Sequence, residues 1–490
     1  MVEIKFDFNN MFSQAVGKEH GVDESEIKEL LPKINKAHEH LTAINADNRL
    51  RSKLSLEWTE LPFQDKKTIQ EIKKLGLEIS SRYDNVIFLG IGGSYLGLKA
   101  AQDALVSPYY NEFYGVRKNK PRIYFEGNNL DPDTLNALLK NLNPLKTAVV
   151  VISKSGETTE TKAAFIVALE WLSKNAGKNY GRQVFAITDP ESGSLRKKVN
   201  EEQARDKLSF RNLTLLKGVG GRYSEFNMGL LHLAIIGVDI DEVLAGAKII
   251  NKKCSQEDIY ENPAYMYASL HTILYQKKGK SIAILMPFCE TLKSTVDWYV
   301  QLLAESLGKK YSRKIDKDKA GREDWDRDVD SVVNVGRTPL AARGTNDLHS
   351  IQQNNIEGEN NKVCTFIRVE KFNSDIKIPG EDDILAGQKY SDLINLAQEA
   401  TEWALVREKR PNCTISIPRV SPYNWGALLY FFEMATAFEG ELLNVNAFDQ
   451  PGVEGYKNYM YFKLNKAGMP EGISKAIKSN PLVKNPKLII

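Results

Sequence analysis

Short apolar runs alternate with amphipathic stretches along most of the chain. Between residues 23 and 44 the positions Ile27, Leu30, Leu31, Ile34, Ala37 and Leu41 recur at three- and four-residue spacing, which predicts a helix. Residues 68–82 repeat that pattern and lead into NVIFL (85–89), a run apolar at nearly every position. RIYF (122–125), TAVVVIS (147–153) and QVFAIT (183–188) follow, separated by helical stretches; one of these opens on Asp131 as cap and Pro132 as first helical residue. Apolar strands separated by helices predict a parallel sheet covered on both faces, hence a doubly wound α/β domain ending near Gly237. A second alternation comprises a helix at 262–275, SIAILM (281–286), a helix at 291–306, VCTFIRV (363–369), a helix at 392–407, CTISI (413–417) and a helix at 425–443. The pattern predicts two α/β halves, with no clear sequence repeat between them. The expected division is a helical segment over 1–60, α/β domains over 61–240 and 241–445, and a C-terminal helix and arm over 446–490.

Two stretches break the alternation. KKYSRKIDKDKAGREDWDRD (309–328) is dense in both charges and poor in aliphatics, and reads as a solvated surface excursion. The tail after Gly468, with Pro470, Pro481 and Pro486, reads as an extended arm or a frayed end. Composition narrows the function class. Lys plus Arg (66) nearly cancels Asp plus Glu (63), so no overall field favours nucleic acid or an anionic membrane. Cys254, Cys289, Cys364 and Cys413 form no CxxC pair, which argues against a zinc site and a disulfide scaffold and fits a reducing cytoplasm. No signal-peptide pattern opens the chain and no apolar run reaches membrane length, so a soluble, cytoplasmic protein is expected.

Candidate chemistry clusters where strands end. FLGIGGSYLGL (88–98) is a glycine-rich strand-to-helix turn with Gly93 and Ser94 at the helix start; it is neither a GxGxxG fingerprint nor a P-loop. Its backbone N–H groups suit an anion, and equally a tight turn that needs glycine for its angles. Ser153, Lys154, Ser155, Thr158 and Thr159 of SKSGETT follow the next apolar strand. Ser155 alone could cap a helix, but four hydroxyls and a lysine exceed what a cap needs and favour a phosphate monoester. Both turns lie at carboxyl ends of strands and could share one crevice. GVGGRYS offers Arg222 behind flexible glycines, Gly221 among them, either as a charge for an oxyanion or as an exposed loop arginine. Gln301 and Glu305 share a helix face with Trp298, so Glu305 is either a partly buried base or a surface carboxylate beside Lys309. His349 in GTNDLHS is a proton shuttle or a solvated helix-start histidine, and Lys457 in QPGVEGYK reads by default as a surface lysine. His20, His38 and His40 have polar surface readings, while His232 and His271 fall in apolar helices as core residues.

GIGGS, SKSGETT, GGRYS, QLLAESLGK, GTNDLHS and QPGVEGYK, in this order from 88 to 457, together resemble the glucose-6-phosphate isomerase family. The resemblance implies two SIS-type three-layer α/β/α sandwich domains with largely parallel sheets, plus N-terminal helices and a C-terminal arm that completes the active site. It implies cofactor-free, metal-free interconversion of glucose 6-phosphate and fructose 6-phosphate through a cis-enediol(ate), in glycolysis and gluconeogenesis. In that reading Gly93, Ser94, Ser153, Lys154, Ser155 and Thr158 hold the phosphate, and Gly221, Gln301 and Gln450 line the site. Glu305 moves the proton between C1 and C2, Arg222 stabilises the intermediate, and His349 and Lys457 assist ring opening. The resemblance also implies a homodimer in which His349 crosses to the neighbouring subunit. The chain departs from the family at Glu157, where many members carry threonine, and in the longer spacing between ESLGK and GTNDLHS. Two other classes stay open on the residues: a broader hexose-phosphate isomerase that also accepts mannose 6-phosphate, and a sugar-phosphate-binding module without turnover.

Overall fold

The uninterrupted apolar runs become the inner strands of two sheets in the computed structural model, which describes residues 4–381 and 383–490. Its strands are β1 (Lys5–Asp7), β2 (Asn85–Leu89), β3 (Arg122–Glu126), β4 (Thr147–Ile152), β5 (Val184–Thr188), β6 (Arg211–Thr214), β7 (Ile282–Pro287), β8 (Lys309–Lys317), β9 (Glu323–Val335), β10 (Thr338–Ala341), β11 (Lys362–Val369) and β12 (Asn412–Ile417). The first sheet runs β3-β2-β4-β5-β6, parallel throughout. Every residue of β2, β4 and β5 is buried, whereas the edge strands β3 and β6 keep half-exposed positions. That gradient is what helices on both faces of a parallel sheet produce.

The second sheet runs β1-β12-β11-β7-β10, with β7, β10, β11 and β12 parallel and β1 antiparallel. In both sheets the first strand of the half sits between its second and third, so each half carries a switch point where the chain's direction of winding reverses. The switch point of the first half lies between β2 and β4, and that of the second between β7 and β11. This common order supplies the likeness between halves that the sequence itself does not display.

Three expectations need correction. Residues 5–7, assigned to a helical N-terminal segment, instead form β1 at the edge of the second sheet, with Lys5 paired to Ser416. The charged stretch 309–328 is no loose excursion: β8 and β9 form an antiparallel hairpin paired from Lys309↔Val335 to Lys317↔Glu323, with register shifts on either side of Tyr311 and regular pairing from Arg313↔Arg327 outward. Its root is buried. Arg313 makes a two-pronged ion pair with Glu441, at 2.5 and 2.8 Å, and lies 4.1 Å over the Trp325 ring. His40 bridges Glu323 at 2.7 Å and Glu441 at 2.8 Å; burial opposes its charge, but the two carboxylates outweigh that and hold its pKa above the ordinary value. So His40 is a structural ion-pair residue, not a plain surface one. Finally, a helix, Glu471–Ser479, interrupts the tail expected to be extended.

Met1–Ala447 and Phe448–Ile490 separate as two compact units. No helix among the described residues is long and apolar enough to cross a membrane. His232 and His271 are wholly buried, as their apolar helices predict, with Gln102 and Arg337 as partners.

Candidate active site

The first switch point carries both glycine–hydroxyl turns. After β2 the chain turns through Gly92, whose φ of +57° places it in the left-handed region, and enters the helix Gly93–Leu105. Ser94 sits in its first turn, half-buried, with a hydroxyl that has no partner among the described residues. After β4 the turn is tied down by its own side chains. Ser153 Oγ accepts the Gly156 N–H at 2.9 Å, Ser155 Oγ accepts the Glu157 N–H at 3.1 Å, and the Ser155 carbonyl accepts the Ser194 N–H at 2.9 Å. Gly156, at φ +75°, permits this; a Cβ there would lie 2.5 Å from the Leu195 nitrogen. The helix cap is Thr158, not Ser155, and the Thr158 side chain makes no capping hydrogen bond. Lys154 is exposed and forms no ion pair among the described residues. Ser153 and Ser155 thus shape the turn while their O–H groups stay able to donate, and Ser94, Lys154 and Thr158 remain uncommitted donors.

The arginine turn and the glutamate helix close on this crevice from the other side. A Cβ on Gly93 would stand 2.2 Å from the Gly221 carbonyl oxygen and 2.8 Å from the Arg222 nitrogen, and one on Gly92 would stand 2.9 Å from Gln301 Nε2. The first turn therefore needs glycine because two other candidate elements press against it. Arg222, 2% exposed, donates from Nε to Ser306 Oγ at 2.8 Å, from Nη2 to the Ala447 carbonyl at 2.6 Å and from Nη1 to Glu305 Oε2 at 3.2 Å. Gln301 Nε2 donates to Glu305 Oε1 at 3.2 Å, while its own Oε1 is buried without a partner. Both Gln301 and Glu305 project from the helix Lys293–Leu307, and the Glu305 side chain keeps 30% of its surface open. Lys309 Nζ donates to the Glu305 carbonyl at 2.7 Å.

Gly93, Ser94, Gly221, Arg222, Gln301 and Glu305 are thereby brought into one place from helices and turns over two hundred residues apart. The remaining candidates stand differently. His349 ends the 3-10 turn Asn346–His349, exposed, and no hydrogen bond or ion pair links it to Arg222, Glu305 or either turn among the described residues. Gln450 and Lys457 belong to the separate unit, where Lys457 on the helix Glu454–Lys463 meets Glu454 at 2.8 Å. Burial works against the Lys457 charge, yet the bond to Glu454 holds its pKa above the usual lysine value. Sequence reasoning missed Ser306, which holds both Arg222 and the Tyr223 hydroxyl (3.1 Å), and the Ala447 carbonyl. Ser306 follows Glu305 directly, but nothing in ESLGK signals that its hydroxyl faces an arginine. No group of three or more His, Cys, Asp or Glu side chains among the described residues could hold a metal ion, and the four cysteines are buried and unpaired.

Comparison with known families fits this arrangement: the phosphoglucose isomerase family model matches residues 74–462. The chain belongs to the phosphoglucose isomerase family. It is 37% identical to a glucose-6-phosphate isomerase of Carboxydothermus hydrogenoformans over 99% of both chains, and 36% identical to one of Symbiobacterium thermophilum over 84% of this chain and 87% of that one. Among solved structures, a hypothetical protein of Thermus thermophilus superposes with TM-score 0.78 at 30% identity, covering 95% of this chain and 100% of the other. A glucose-6-phosphate isomerase of Chlamydia trachomatis shares the fold with TM-score 0.73 at 20% identity, over 96% and 95% of the two chains. Every structural element that builds the crevice, from Gly92 to Glu305, lies inside the matched span.

Proposed function

We propose that this chain interconverts glucose 6-phosphate and fructose 6-phosphate, and that the crevice at the first switch point is its active site. The reading is carried by the contact between Arg222 and Glu305 beside a turn rich in free donors: one carboxylate, one fixed positive charge and a phosphate cradle. Aldose–ketose isomerisation asks for those three things. A base must reach both C1 and C2, a fixed cation must face the negative oxygen that develops, and the substrate must be anchored far enough from the reacting carbons to leave them free. Ser94, Ser153, Lys154, Ser155 and Thr158 anchor the phosphate. Glu305 takes the C2 proton of the open-chain aldose and returns it to C1, through a cis-enediol(ate). Arg222, held by Ser306 and Ala447, needs no reorganisation to face that charge. Gly221, Gln301 and Gln450 line the site.

Ring opening falls to His349 and Lys457, in keeping with the family resemblance. His349, exposed on its own subunit and bonded to none of the site groups, serves the neighbouring site in a homodimer. Residues 61–240 supply the phosphate cradle and Arg222, 241–445 supply Gln301, Glu305 and His349, and 446–490 supply Gln450 and Lys457, with 1–60 as a packing segment. The protein works in the cytoplasm, where its buried, unpaired cysteines stay reduced.

A coupled assay with fructose 6-phosphate in the presence of EDTA tests the reading. Sustained formation of glucose 6-phosphate is expected, with loss in Glu305→Gln. Binding of fructose 6-phosphate without formation of glucose 6-phosphate would refute it in favour of a regulatory binding module.

A further inference from the structure

Directly after the arginine turn, the helix Glu225–Ile236 begins with a carboxylic acid in a mostly apolar run that also holds Asn227 and His232. Glu225 is 3% exposed, and Glu433, in the middle of the long helix Pro422–Leu443, is 0% exposed. Their helices meet beside them, with the Phe226 and Tyr430 rings 6.3 Å apart, and the two acids interact there. Among the described residues neither forms an ion pair, and none of the four carboxyl oxygens meets a donor in ordinary hydrogen-bond geometry. The Trp298 indole N–H approaches Glu225 from the helix Lys293–Leu307. Burial and mutual repulsion push both acids above the ordinary carboxyl range. Two ionised carboxylates cannot stay in such a place: each costs several kcal/mol to strip of water, and their repulsion adds to it. One O–H between them removes a charge and satisfies an oxygen on each side.

The position of the pair matters as much as its chemistry. Glu225 packs on Gly97 of the helix that carries Ser94, so tightly that a Cβ on Gly97 would stand 2.2 Å from Glu225 Cγ. Trp298 belongs to the helix that carries Gln301 and Glu305. Glu433 belongs to the helix that leads into Ala447, whose carbonyl accepts from Arg222. Two helices that carry candidate site groups and two that adjoin Arg222 and Ala447 thus meet at one joint. We propose that Glu225 and Glu433 are joined there by a shared proton, the Glu433 O–H donating to Glu225, and that this acid pair is a positioning element that fixes Arg222 against Glu305. The kinetic side of the proposal rests on the isomerase reading; the protonation side does not.

The titratable groups facing the pair are few. Tyr223 on the arginine turn and Tyr430 on the helix of Glu433 are buried phenols pushed above their ordinary range, so neither supplies a charge near neutral pH. Arg222 is committed to Ser306, Glu305 and Ala447. The helix Lys293–Leu307 presents the Trp298 indole, and the helix Gly93–Leu105 presents Gly97.

Infrared spectroscopy of the substrate-free protein at pH 7, in H2O and D2O, reads the proton directly. A protonated-carboxyl C=O band that shifts on deuteration is expected in the parent and absent in Glu225→Gln/Glu433→Gln. Its absence from the folded parent overturns the proposal. For positioning, Glu433→Ala is expected to lower kcat about tenfold with KM changed less than about twofold, while Glu433→Gln, whose amide N–H replaces the O–H, restores kcat. Unchanged kcat in Glu433→Ala, or failure of Glu433→Gln to rescue it, overturns the positioning role. If Glu433→Ala does not fold, the stability slope decides. The folded parent keeps a proton that the unfolded chain releases near pH ~4.3, so its stability falls as pH rises toward 8, and the double glutamine variant loses that slope. A parent with no turnover of either hexose phosphate would fall on the isomerase reading and leave the infrared result standing.

Discussion

Alanine at Gly93 probes how closely the phosphate turn and the arginine turn are locked. At an ordinary helical position this change would help, by up to about 1 kcal/mol. Here the new Cβ would meet three backbone atoms, the Gly221 oxygen at 2.2 Å, its carbon at 2.3 Å and the Arg222 nitrogen at 2.8 Å. No rotamer relieves a clash with backbone, so the two turns must part by about 1 Å to reach an ordinary contact. Arg222 cannot follow freely, because Ser306, Glu305 and Ala447 hold it from other elements. A displacement of that size at a charge-stabilising group costs on the order of 100-fold in kcat, roughly 2.7 kcal/mol of transition-state stabilisation, and overpacking costs about 1–3 kcal/mol of stability. Gly229→Ala, in the helix Glu225–Ile236, is the control. A Cβ there meets nothing within 4 Å, so it is expected to leave kcat within about threefold of the parent. Both variants are assayed with fructose 6-phosphate by coupled dehydrogenase, well below the Tm measured on the same preparation. Near-parental kcat in Gly93→Ala, or equal losses in the two variants, would refute the reasoning.

Other substitutions separate anchoring, charge and stability. Thr158→Ala and Ser94→Ala should raise KM for either hexose phosphate several-fold more than they lower kcat, because they remove phosphate donors distant from the reacting carbons; a purely kcat effect in steady-state kinetics would contradict the cradle. Arg222→Lys should lower kcat about 100-fold or more, since one ammonium cannot replace contacts to Ser306, Glu305 and Ala447 together. Arg337→Met, which leaves the wholly buried Glu439 uncompensated, should cost about 3–5 kcal/mol in denaturant unfolding, and Arg337→Met/Glu439→Leu should recover most of it. His40, whose pKa is raised between Glu441 and Glu323, contributes stability below about pH 6.5 that is lost as pH rises through its folded value; His40→Asn should flatten the Tm-against-pH curve on that side, and an unchanged curve would contradict the bridge.

What the sequence discloses depends on where each residue's partners lie. Strands β2, β4 and β5 are legible because burial on both faces demands apolar residues at every position, and NVIFL, TAVVVI and VFAIT comply. Strands β1 and β10, KFD and TPLA, are short edge segments whose partners come from the sheet and not from any period of their own. The β8–β9 hairpin is hidden for the opposite reason. It is held by ion pairs and a guanidinium over an indole, so its strands carry charges where apolar residues would have announced them. Both glycine–hydroxyl turns are legible from glycines and hydroxyls at strand ends. The contact of Arg222 with Glu305 spans 83 residues and exists only once both halves are folded. Glu225 and Glu433 leave only a faint trace: one acid opening EFNMGLLHLAII, and one of three in the mostly apolar run LLYFFEMATAFEGELL.

The edge position of β1 sets an order of assembly. All five strands of the first sheet come from residues 85–214, so that half can form from one contiguous run as the chain is made. The second sheet cannot: Lys5 pairs with Ser416 and Phe6 with Ile415, partners at opposite ends of synthesis. Through the whole time the ribosome is extending the chain toward β12, the opening strand has no edge to join, and loop closure over that separation is slow. The half that supplies Glu305 is therefore sealed last, by the first residues to be made.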